Sequence, residues 1–294
     1  MNYDTISITR PSTIVGGPPI AKQPSMSQPV STNNTGTSNK LTNNFPTETI
    51  ELPSQGHFYP DGHPLSDGHL ELKMMTAREE DILTNQNLIR KGIVLDRLLE
   101  SLIVTPVKID DILVGDKNAV FFAARRLAYG DTYGPVKVTC PKCQTECERK
   151  IDLSLMKSKE VDLSTYTKGQ NEFEFLLPYT KKLIKYKLLT HKDELTIDAE
   201  LKAIVKINKN SSSDVTTRLR TMIIAVDGNS DRNVIQKFVS QELPSRDSLA
   251  FRTHVREQTP DLDMNFDFSC DECGNEERMS VPMTAQFFWP DAGR

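Results

Sequence analysis

Cys140-Pro141-Lys142-Cys143 and Cys270-Asp271-Glu272-Cys273 are the stretches on which the reading of this chain turns. Two residues between cysteines let the backbone curl until both sulfurs face one side. Two such knuckles supply the four thiolates of a tetrahedral zinc site, with zinc–sulfur distances of about 2.3 Å. Val136 and Val138 precede the first pair, and Ile151 and Leu153 follow it. Met264, Phe266 and Phe268 precede the second, and Met279, Val281 and Met283 follow it. Apolar residues at period two signal strands, so each pair is expected at the tip of a hairpin and the two hairpins as a zinc ribbon. With 126 residues between Cys143 and Cys270, the ion would close a long loop and restrict the unfolded chain strongly. A four-sulfur set has no open coordination position, which makes the zinc structural and not catalytic.

Other uses of the cysteines stay open at this point. A disulfide framework conflicts with five cysteines, an odd and sparse number, and with the lack of a secretory leader at the start of the sequence. A redox Cys-x-x-Cys usually opens a helix after a strand, whereas both pairs here sit between strand patterns. An iron–sulfur cluster would use the same soft ligands. Cys147 is the spare: a partly buried thiol, or a substitute for another ligand.

Composition narrows the function classes. The 294 residues carry 37% hydrophobic residues and a formal charge of −4, with a pI near 5.8. That acidic balance gives no footprint for nucleic acid, and no apolar run approaches the ~20 residues of a membrane span. Lys181, Lys182, Lys185, Lys187 and Lys192 form the local basic run, read as a solvated hairpin face. More than half of residues 1–46 are Ser, Thr, Asn, Pro or Gly. Such a segment has little to bury against its ordering entropy and is expected to be a disordered or extended arm, with Tyr3, Ile6, Ile8 and Ile14 as small anchors for a partner.

The rest reads as α+β. Thr49 to Leu52 and Leu70 to Leu72 are strands around a turn-rich loop that carries His57 and His63, with His69 at its end; these histidines have turn or packing roles. Thr76 and Glu79 form a capping box, which also places Glu79, Glu80 and Asp81 in a helix's first turn. Val94, Leu95, Leu98, Leu99, Leu102 and Ile103 form an amphipathic stripe, and Pro106 stands past its end. Asp116 is predicted to cap a helix that carries Val120, Phe121, Ala124 and Leu127 and ends at Gly130. A hairpin follows at Phe173, Phe175, Leu177 and Ile184, Tyr186, Leu188. Helices are then predicted with Leu195, Ala199 and Ala203; with Asp214 as cap for Leu219, Met222, Ile223 and Val226; with Val234, Ile235, Phe238 and Val239; and from Arg246 to Arg256. The division is an arm at 1–46, an α+β core with the first knuckle at 47–160, a mainly helical, bundle-like insertion at 161–262, and the second knuckle with a C-terminal strand at 263–294. The ribbon is then the stem of the insertion.

Catalytic motifs are missing, and Gly115-Asp116-Lys117 lacks the rest of a P-loop, so no enzyme is expected. Glu51 to Pro60, Met75 to Leu83, Leu113 to Ala119, Ala124 to Gly130 and the two knuckles together resemble the baseplate hub proteins of T4-like contractile-tailed bacteriophages. The likeness is most specific from Ile50 to Cys147 and resumes at Cys270. It implies a virion tail component, or a departing assembly chaperone, made in the cytoplasm of the infected host. Such a protein works within a larger oligomeric assembly through contacts with other hub or wedge proteins and the tape-measure protein, with no nucleic acid and no membrane. The rival reading from the residues alone is a zinc-ribbon nucleic-acid-binding protein.

Overall fold

The computed structural model describes residues 46–207, 213–282 and 285–288. The expected arm anchors and Met283 lie outside these residues. The described elements are β1 (Thr47–Glu51), β2 (His69–Lys73), α1 (Ala77–Thr84), α2 (Gln86–Lys91), α3 (Val94–Leu102), α4 (Val114–Tyr129), β3 (Thr132–Thr139), β4 (Glu146–Asp152), β5 (Lys157–Ser158), β6 (Phe173–Leu176), β7 (Leu183–Tyr186), α5 (His191–Ile207), α6 (Asp214–Met222), β8 (Ile223–Val226), α7 (Arg232–Lys237), α8 (Ser245–Gln258), β9 (Leu262–Asp263), β10 (Asn265–Ser269), β11 (Glu276–Ser280) and α9 (Ala285–Phe288). Helices and small antiparallel sheets are mixed along the chain, and their buried side chains merge into one hydrophobic cluster.

β1 and β2 pair antiparallel from Thr47↔Lys73 to Glu51↔His69. The loop between them buries Leu52, Phe58, Tyr59 and Leu65. The three histidines stay apart: Nε2 of His57 lies 2.9 Å from the Tyr166 carbonyl, His63 stacks on Tyr59, and His69 bonds locally to Asp67. From this loop a series of ring contacts runs inward, Phe58 on Phe173, Phe173 on Tyr186 and Tyr186 on Phe251, with centroids 5.1 to 5.2 Å apart. Packed edge-to-face and tilted rings add to the burial of their large areas.

The capping box at α1 forms and does more than cap. The Glu79 carboxylate accepts from the Thr76 N–H at 2.9 Å and hydroxyl at 2.6 Å, from Lys73 at 2.8 Å and from Ser101 on α3 at 2.6 Å. Burial alone would raise its pKa, but these donors outweigh burial and pull it from the ordinary 4.5 down to about 2. A carboxyl depressed on folding stabilises the protein above its unfolded pKa and loses that contribution as pH falls through its folded value. Stability should therefore drop by about 3 kcal/mol between roughly pH 4.5 and pH 2 on account of this group. Glu79→Gln should flatten that part of an acid-unfolding curve followed by circular dichroism; an unchanged slope would refute the assignment.

α3 buries Val94, Leu98, Leu99 and Leu102 as its spacing predicts. α4 departs from expectation at its start: Asp116 is not a cap. The cap position is Leu113, and Asp116 lies inside the first turn, 1% exposed. Its carboxylate accepts from the Ser54 N–H at 2.9 Å, the Ser54 hydroxyl at 2.6 Å and the Tyr59 hydroxyl at 2.7 Å, while Tyr59 in turn accepts from the Leu113 N–H at 3.0 Å. Burial is the dominant influence on Asp116 and raises its pKa against these three bonds. Lys117 is also buried; it pairs with Glu194 and lies 3.2 Å from Nδ1 of His191, whose Nε2 lies 3.2 Å from Asp96. Gly115 explains itself by contact, because a Cβ there would sit 1.9 Å from the Pro260 carbonyl oxygen. Gly115-Asp116-Lys117 thus joins α3, α4, α5 and the loop before β1's partner strand. Gly130 ends α4 at φ 78° as predicted.

In the segment between the hairpins, β6, β7 and β8 form a three-stranded antiparallel sheet in that order. The β6–β7 hairpin is the predicted one, and its turn is held by Asp247 of α8, which accepts from the Tyr179 and Thr180 N–H groups at 2.8 and 2.9 Å. β8 corrects the sequence expectation of one helix through Ile223 and Val226, because the helix stops at Met222. Ile223-Ile224-Ala225-Val226 is rich in β-branched residues, ends at the Asp227-Gly228 turn and finds an open partner in β7, and these together favour a strand. Asp214 is the first residue of α6 and not its cap, which is Ser213. α5 forms, but Ile197 is its buried apolar residue while Leu195 is 42% exposed. The lysine run is mostly paired: Lys182 with Glu242, Lys185 with Glu172 and Lys187 with Asp193.

Candidate metal centre

β3 and β4 pair from Thr132↔Asp152 to Thr139↔Glu146, with an irregularity after Tyr133. β10 and β11 pair from Asn265↔Ser280 to Ser269↔Glu276. Val136, Val138, Ile151, Leu153, Phe268 and Val281 are buried, so the period-two pattern turns its apolar face inward as read. The two hairpins share a foot that the sequence did not announce. Lys157↔Asp263 and Ser158↔Leu262 pair β5 with β9, and the Lys159 N–H donates to the Asp261 carbonyl at 2.7 Å. Beyond β11 the chain turns helical at α9, where Phe287 meets Tyr133 at 5.1 Å and Phe288 meets Phe121 at 5.5 Å. The strand expected after the second knuckle is β11, which ends at Ser280.

The two tips have the same frame. Cys140 donates its N–H to Thr145 and accepts from the Gln144 N–H, both at 2.9 Å; Cys270 donates to Asn275 at 2.9 Å and accepts from Gly274 at 3.0 Å. The residue after each second cysteine is left-handed, Gln144 at φ 62° and Gly274 at φ 63°. This frame turns both sulfurs of a pair to one side. The four sulfurs of Cys140, Cys143, Cys270 and Cys273 all lie within 4.8 Å of one another. Cys140 to Cys273 is 3.7 Å and Cys143 to Cys270 is 3.6 Å, each pair taking one sulfur from each hairpin.

These separations discriminate between the uses left open by the sequence. Bonded sulfurs would be about 2.05 Å apart, so the four are thiols and not two disulfides. A tetrahedron with metal–sulfur bonds of about 2.3 Å has edges of about 3.8 Å, which the observed spacings match. The donor set fits a soft, four-coordinate ion. Cys140 and Cys270 are buried, at 0% and 2% exposure, while Cys143 is exposed and Cys273 half-buried. The Thr145 hydroxyl and N–H hold Cys143 down to about 6, and the Cys273 N–H helps to lower Cys270. At Cys273 the Asn275 N–H pulls down, but burial and the neighbouring thiols win and push it up to about 12. Such a set is part thiolate before binding, and an ion that takes all four must displace protons.

Two further side chains border the cluster: Arg149, which the sequence did not announce, and Cys147, the spare thiol, which is buried as expected. Arg149 of β4 reaches across to the second hairpin, where it pairs with Asp271 at 2.8 Å, donates to the Ser269 carbonyl and covers the Phe268 ring at 5.4 Å. Cys147 is 5% exposed, and its sulfur lies 3.9 Å from that of Cys270. No helix of the described residues is long and apolar enough to cross a membrane.

Residues 46–289 match the family described as the T4 bacteriophage base plate protein. Neither the curated proteins nor the solved structures gave a match. The matched span takes in the loop around Ser54 and Tyr59, the α4 start at Asp116 and both cysteine knuckles, the very segments that meet in the core and at the sulfur cluster. The chain belongs to the T4-type phage base plate protein family.

Proposed function

We propose that the protein is a structural, non-catalytic component of the baseplate hub that acts by contacts with other hub and wedge proteins and with the tape-measure protein. It is made in the host cytoplasm and retained in the virion tail. A single zinc ion held by Cys140, Cys143, Cys270 and Cys273 makes a ribbon of the two hairpins and so fixes the stem from which the segment 161–262 projects. The match over residues 46–289 carries the reading. Zinc is favoured over iron by the closed, all-thiolate set and by the absence of any demand for redox chemistry in a docking role. Partners are proteins and not nucleic acid, since three of the five clustered lysines are already paired with acids. The test is quantitative mass spectrometry of baseplate complexes from infected cells beside purified mature particles. A fixed copy number in both is the expected result. Presence in the complexes and absence from the particles would replace a subunit by a departing chaperone, and absence from both would overturn the proposal.

A further inference from the structure

A fifth sulfur, that of Cys147, stands beside the four-sulfur cluster. Cys147 lies on β4 directly opposite Val138 of β3, and opposed residues of an antiparallel pair project to the same face. That face is the buried one, on which Cys140 follows Val138 by two residues. Cys270 therefore has two neighbours from the first hairpin at nearly the same range, Cys143 at 3.6 Å and Cys147 at 3.9 Å. Both distances lie close to the edge of about 3.8 Å expected for a tetrahedral thiolate site. The two differ in surroundings: Cys143 is exposed at the turn, while Cys147 is more than nine-tenths buried, with the Thr145 carbonyl at 4.0 Å, the Asp271 N–H and the Arg149 charge as polar neighbours beside Cys270.

We propose that Cys147 is a reserve ligand, so that when the Cys143 thiolate is removed the ion is held by Cys140, Cys147, Cys270 and Cys273. This rests on the metal reading above and adds a second ligand set to it. The exchange keeps Cys140 at the end of β3 and both donors on the second hairpin, and replaces an exposed turn sulfur by a buried one beside Cys270. The ion would move a short way inward along β4. The clip between the hairpins would then survive damage at its most accessible donor.

Cobalt(II) titration of the full chain tests it, read by visible absorption, where the sulfur-to-metal bands grow with each thiolate bound. The wild type, Cys143→Ser and Cys147→Ser should each take one ion with the intensity of four thiolates. The double variant C143S/C147S should show three and bind more weakly by at least the 10–100-fold that even outer-shell changes cost. A three-thiolate spectrum for Cys143→Ser overturns the proposal, as does a Cys143→Ser chain that neither folds nor binds, since the reserve then fails to act. A wild type without sulfur-to-cobalt bands would instead sink the metal reading itself, so the two failures are told apart.

Discussion

Cys270→Ser, or stripping of the metal-loaded protein with a strong chelator, is expected to lower the melting temperature by about 10 to 20 °C. Structural zinc sites bind with about 10–16 kcal/mol in small peptides, where binding and folding are one event. Here a hydrophobic cluster that spans the chain remains without the ion, so only part of that free energy is expected to be lost, about 5 kcal/mol. For domains of this size each kcal/mol moves the transition by about 2–4 °C. Cys270 is the severe position because it is buried and lies closest to sulfurs of the opposite hairpin. Cys147→Ser is the matched control, with one zinc per chain expected by elemental analysis. Calorimetry of the two variants beside the stripped wild type decides the matter: equal melting for all would remove the clip from the account of stability.

The second large effect is expected at Asp116. Asp116→Ala takes away the acceptor of the Ser54 N–H, the Ser54 hydroxyl and the Tyr59 hydroxyl at once. Each buried donor left without a partner costs about 1–3 kcal/mol, so a loss of about 3–5 kcal/mol is expected in denaturant unfolding. Asp116→Asn keeps an acceptor oxygen and should cost less. Tyr59→Phe in the Asp116→Ala background should cost less than in the wild type, because the hydroxyl has by then lost its main acceptor. Additive losses would mean that the three groups do not act as one network.

What was legible in the sequence was local. The hairpins and knuckles follow from period two and Cys-x-x-Cys spacing, the first helix from Thr76 and Glu79, and α3 from its repeat of leucines. What was not legible depends on distant partners. An aspartate just before an apolar stretch looks like a cap at Asp116, and nothing nearby says that its donors stand 57 and 62 positions away. Ile223 to Val226 suits a helix or a strand until β7 offers its edge. β5 and β9 are two residues each, too short to carry any period. Gly115 gave no signal, since the Pro260 carbonyl that forbids a side chain arrives from far along the chain. The four cysteines whose sulfurs meet were legible from their spacing, whereas the position of Cys147 beside Cys270 needed the register of β3 with β4.

The two knuckles also impose an order on biosynthesis. Cys143 leaves the ribosome 127 residues before Cys270, and translation at about 5–20 residues per second makes that interval roughly 6 to 25 s. For that time the first two thiols hold half a site, while everything between β5 and β9 emerges. On the metal reading proposed above, capture of the ion would be a sealing step that waits for the second knuckle, and a polypeptide whose synthesis stalls before it could not be sealed.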